Sequence, residues 1–154
     1  MDGNEANLIL ERWIARMAES YPRNAAALLS QEPDPFRNPV GCTLRRNLSL
    51  LLSELCGEMN APAIDSALDQ IVRLHVAQGT APDDAVRFVS LLQPILRGLV
   101  SGRHSAVFDS RIDRLVAIAA DKHKQCREQL ARIRAHELQR AGYVPQRIRA
   151  RRPA

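Results

Sequence analysis

Three of the nine prolines in this chain stand where helices begin. Asn38-Pro39, Asn60-Ala61-Pro62 and Thr80-Ala81-Pro82 each place a proline in a first turn, where its missing N–H costs nothing, and apolar residues at helical spacing follow each one. Asn38 and Asn60 can cap through their side chains. Thr80 and Asp83 resemble a capping box with an acid in place of the usual Glu or Gln. Punctuation of this kind cuts the chain into helices that must stack to bury their apolar faces. Aromatics make up only 4% of the residues, and β-branched runs are scarce, so the expected fold class is all-α. A chain of 154 residues fits one domain with one core, hiding roughly two-thirds of the surface its unfolded form exposes.

The spacing predicts a first helix over 5–19, capped by Asn4 and carrying Leu10, Trp13, Ile14 and Met17. Tyr21-Pro22 closes it, and a short helical turn is expected at 24–30. A second long helix runs from Pro39 to about Gly57 with Leu44, Leu48, Leu51 and Leu55 on one face, and a third runs from Asn60 to about Gly79 on Ile64, Leu68, Ile71 and Val72. Residues 81–100 carry Phe88, Leu91, Leu92, Ile95, Leu96, Leu99 and Val100 on more than one face. That segment is expected at the centre of the bundle, kinked by Pro94 through loss of a bond to Ser90. Gly41, in the first turn of its helix, costs up to about 1 kcal/mol against alanine, which calls for close packing or a ligand at that backbone. A lone glycine after proline makes no phosphate cradle.

The last helix is expected from Ser105 to Ala141, roughly 50 Å long at about 1.5 Å per residue. A helix longer than the bundle it joins needs a cover for its overhang, and a second copy is the simplest. The expected homodimer interface is therefore Ile112, Leu115, Ala119, His123, Cys126, Leu130 and Ile133. Beyond it, residues 142–154 form an expected basic tail separate from a domain of 1–141. Residues 1–121 hold 12 Lys/Arg against 15 Asp/Glu (−3), while 122–154 hold 10 against 2 (+8), so the net charge of +5 belongs to the C-terminal end. Such a tail can contact nucleic acid or acidic protein by charge alone, although no recognition helix or aromatic stacking pattern accompanies it.

Other chemistry finds little support. No run of about eighteen apolar residues offers a membrane span, and the acidic N-terminus lacks the basic start of a secretory signal, so a cytoplasmic location is expected. Cys42, Cys56 and Cys126 have no CxxC spacing and are expected as buried thiols. The pairs Asp65/Asp69 and Asp83/Asp84 sit near helix starts, where acids complement the macrodipole without any reaction, and no catalytic residues or metal ligands are assigned. His104 and His136 are expected in solvent. His75 and His123 fall on or beside apolar stripes, leaving a haem- or ligand-binding sensor as an alternative to an interaction module.

The series "ILERW", "YP", "DPFRNPVGCTLRRNL", "ALDQIVRLHVAQ", "APDDAVRFVSLL", "RIDRL" and "CREQLARIRAHELQR" resembles the N-terminal domain of RsbR/RsbD-type co-antagonists, the sensory modules of bacterial stressosomes. The motif residues that carry the likeness include Trp13, Phe36, Asn38, Pro39 and Gly41. The resemblance implies a single globin-like helical bundle with a long C-terminal helix and no haem. It also implies a dimer, and a signal passed through the last helix to a STAS domain. Gly79-Thr80-Ala81-Pro82-Asp83 replaces the family's acid-aromatic-Thr-Pro-Ser pattern, and no STAS domain follows. The implied function is a cofactor-free sensory or adaptor module that acts on a partner in trans.

Overall fold

A computed structural model of the chain describes residues 2–21, 34–99 and 103–150, with side chains in the last span given for 106–142. Among the described residues six helices follow one another: α1 Gly3–Ser20, α2 Pro39–Cys56, α3 Ala61–Ala77, α4 Pro82–Ser90, α5 Leu92–Leu99 and α6 Arg103–Ala150. The protein is an all-α bundle with a long C-terminal helix. The turn expected at 24–30, and Val100, lie outside the described residues.

Local chemistry sets the helix ends. Asn38 Oδ1 accepts the Gly41 N–H at 3.0 Å, and Asn60 Oδ1 accepts the Ala63 N–H at 3.0 Å, so α2 and α3 begin where the asparagines predict. The cap of α1 is Asp2 rather than Asn4. Its carboxylate accepts the Glu5 N–H at 2.8 Å while Glu5 accepts the Asp2 N–H, a reciprocal box that starts the helix earlier. Gly79, at φ +71°, ends α3: the Gly79 N–H bonds to Val76 O and the Thr80 N–H to His75 O, the paired bonds of a Schellman turn. Thr80 thus serves the end of α3. The expected box with Asp83 does not form, and Ala81 precedes α4 with no side-chain cap.

The segment 81–100 is two helices broken at Leu91, not one kinked helix. Pro94 leaves Ser90 O without its usual donor and lies in the first turn of α5, where its ring is tolerated. The centre of the bundle falls to α6, which packs on α2, α3, α4 and α5, whereas Leu99 on α5 is exposed. Polar contacts fasten these seams. Lys122 on α6 reaches Asp65 on α3 at 2.8 Å, and Arg45 on α2 reaches Glu11 on α1 at 2.6 Å. The expectation of buried thiols is corrected: Cys56 is exposed, and Cys42 and Cys126 are only partly buried.

Candidate functional site

A chain of rings ties α1, α3 and α4 together inside the bundle. Trp13 is fully buried, donates from Nε1 to Phe88 O at 2.6 Å and stacks on the Phe88 ring at 6.3 Å. Phe88 meets His75 edge-on at 5.2 Å, and His75 in turn contacts Tyr21. His75 Nδ1 lies 3.2 Å from the Ala85 carbonyl, an obligate acceptor, so this nitrogen carries the proton and Nε2 accepts from the Tyr21 hydroxyl. Burial pushes the His75 pKa down to about 4, against the opposing pull of the Ala85 carbonyl and helped by repulsion from His123. Burial also pushes the Tyr21 phenol up, keeping it a donor. Both imidazole nitrogens are therefore engaged. The cleft beside them, lined by Met17, Thr80 and Arg87 among others, holds only about 10 Å³, too little for a haem.

The residues expected at a dimer interface divide into two groups. Ile112, Leu115 and Ala119 are at most 1% exposed and belong to the chain's own core, so they have no surface to offer a partner, and their place in the expected interface is corrected. His123 is buried at 6% exposure, Cys126 and Leu130 are partly buried, and Ile133 is 48% exposed. From Ala131 to Gly142 every residue of α6 is exposed, Leu138 and His136 included. Alongside this half, between α6 and the α3–α4 turn, lies a groove of about 350 Å³ to which His123, Arg127 and Leu130 contribute. Burial, and secondarily Arg127, hold the His123 pKa below its ordinary value.

The motif residues have separate roles. Trp13 is core, Asn38 and Pro39 start α2, and Gly41 is buried in its first turn. Phe36 is 96% exposed on a turn in which Asp34 accepts the Phe36 and Arg37 N–H groups. Arg111, which opens the RIDRL motif, donates from Nη1 to Leu55 O at 2.6 Å and Gly57 O at 3.0 Å, closing the end of α2 from α6, a role its place in the motif does not show. Sequence reasoning did miss Tyr21 as the partner of His75; a hydroxyl at the end of one helix and an imidazole in another share no spacing. Asp69 pairs with Arg73 and Asp65 with Lys122, so these carboxylates have structural partners.

Among the described residues no helix is long and apolar enough to cross a membrane, and no cluster of three His, Cys, Asp or Glu side chains could hold a metal. No curated protein and no solved structure matches the chain. One family model does, that of the RsbT co-antagonist protein RsbRD N-terminal domain, over residues 8–138. That span takes in all of α2 to α5 with most of α1 and the packed part of α6. The chain therefore belongs to the RsbRD N-terminal domain family of stressosome-related signalling modules.

Proposed function

We propose that the protein is a non-catalytic, cofactor-free sensory or adaptor module of the cytoplasm, working as a homodimer and acting on a separate partner through α6. The observation that carries this reading is the outer half of α6, where every described residue from Ala131 onward is exposed and where, on the apolar side begun by Ile112 and Leu115, Leu130 is only partly buried and Ile133 is exposed. Burying each such side chain is worth roughly 1.5 to 3 kcal/mol, which favours a second surface. A domain of 1–141 would then do the pairing, with 142–154 dispensable for it. A haem-based reading gains nothing from His75, whose ring nitrogens are both spent on Ala85 and Tyr21.

Light scattering after size exclusion tests the dimer. The wild type and a chain lacking residues 145–154 are expected as dimers, and Leu130→Glu with Ile133→Glu as a monomer. A folded wild-type monomer at tens of micromolar, or a dimeric double variant, would refute the α6 interface. Titration with hemin tests the cofactor: a saturable one-to-one Soret band lost in His75→Ala or His123→Ala would overturn the cofactor-free reading.

A further inference from the structure

The groove between α6 and the α3–α4 turn presents a positive, incompletely bonded surface. Its volume of about 350 Å³ suits a small molecule. No carboxylate lines it, because Asp83 and Asp84, in the first turn of α4, line other clefts. Two features converge there, an imidazole and a pair of guanidinium groups. His123 is more than nine-tenths buried, lines the groove and makes no hydrogen bond among the described residues, while its ring nitrogens keep some contact with solvent. Arg127 and Arg134, two helical turns apart on the same side of α6, contribute guanidinium groups that form no ion pair among the described residues. Pro82, at the groove's edge, opens α4, whose positive end is offset by Asp83 and Asp84 in the same first turn and adds nothing to the field.

Apolar surface lies beside this polar set, from Val76 on α3 and Leu130 on α6. We infer that the groove binds a small amphipathic carboxylate, its head group held by His123, Arg127 and Arg134 and its hydrocarbon part laid on Val76 and Leu130. Planar guanidinium groups suit a carboxylate, and an imidazole N–H supplies the further donor. Because His123 is held low by burial and Arg127, an anion beside it moves its pKa upward. The site lies where α6 leaves the bundle. It extends the sensory reading by naming the class of signal, yet binding is read directly, so the oligomeric result and this one can fail separately.

The test is NMR of the full chain with histidine rings labelled, titrated with sodium octanoate and with 1-octanol as its uncharged counterpart. Octanoate is expected to move the His123 ring signals saturably and raise the His123 pKa, with octanol binding weaker by about ten-fold or more. Arg127→Gln with Arg134→Gln is expected to weaken octanoate by about ten-fold while melting like the parent, since both side chains are exposed. Three results would overturn the inference: equal binding of octanoate and octanol, unchanged binding by the double variant, or no saturable shift at His123. A glutamate-rich peptide that moves these signals where octanoate does not would assign the groove to a protein partner instead, and would equally overturn it.

Discussion

The two halves of α6 carry one apolar rhythm and meet opposite fates. Ile112, Leu115 and Ala119 vanish into the core against α3 and α4, while on the same side Leu130 is only partly buried and Ile133 is exposed. Lys122 marks the crossing: its ammonium holds Asp65 on α3, and beyond it the sequence turns strongly basic. Periodicity thus reports that a side of a helix is to be covered. It does not report by what.

The largest effect should separate the halves outright. Leu115→Ala is expected to cost roughly 2 to 5 kcal/mol in chemical denaturation, against less than about 0.5 kcal/mol for Leu138→Ala in the same chain. Equal losses would erase the contrast. Acid should next weaken the buried half. His75 titrates near 6.5 when unfolded and at about 4 when folded, so the unfolded chain takes up the proton first. Stability is then full above pH 6.5 and falls by about 3 kcal/mol as pH drops towards 4. Denaturant midpoints of the parent and of His75→Gln across that window measure it, and a parent with flat stability would refute the buried neutral imidazole. A remaining slope in the variant would include His123, whose folded pKa is also lowered, and, at the acid end, Asp109, which Arg97 holds low. Far from α6, Gly41→Val should cost roughly 1 to 3 kcal/mol by overfilling a buried first turn, and Asn38→Ala about 1 kcal/mol by removing a cap. Thermal melts rank the two, and a Gly41→Val variant melting like its parent would point to a role for that backbone other than packing.

What could be read from the sequence was local. Asn38, Asn60 and the prolines after them started helices where expected, because a cap and its N–H donors lie within three residues. The break at Leu91 was only half visible: Pro94 announces a lost bond, but whether a helix bends or splits is decided by the packing of Phe88 and Leu92 on either side. Thr80 was misassigned because the same residues can end one helix or begin the next, and Gly79 at positive φ settled the competition. The groove at His123 was legible only as a histidine beside a stripe; its arginines and the α3–α4 turn meet through the fold alone. Membership of the family was visible in ordered motifs spread along most of the chain.

Trp13 is the chain's single tryptophan, and its indole is sealed between α1 and α4 with its N–H on the Phe88 carbonyl, 75 residues away. Intrinsic fluorescence of this protein therefore has one dominant emitter, placed at a long-range joint rather than on a local turn. Closing that joint carries a larger loop-closure cost than the contacts made within α2 and α3. The colour of the tryptophan emission follows the seating of the first helix, since α6 carries no tryptophan.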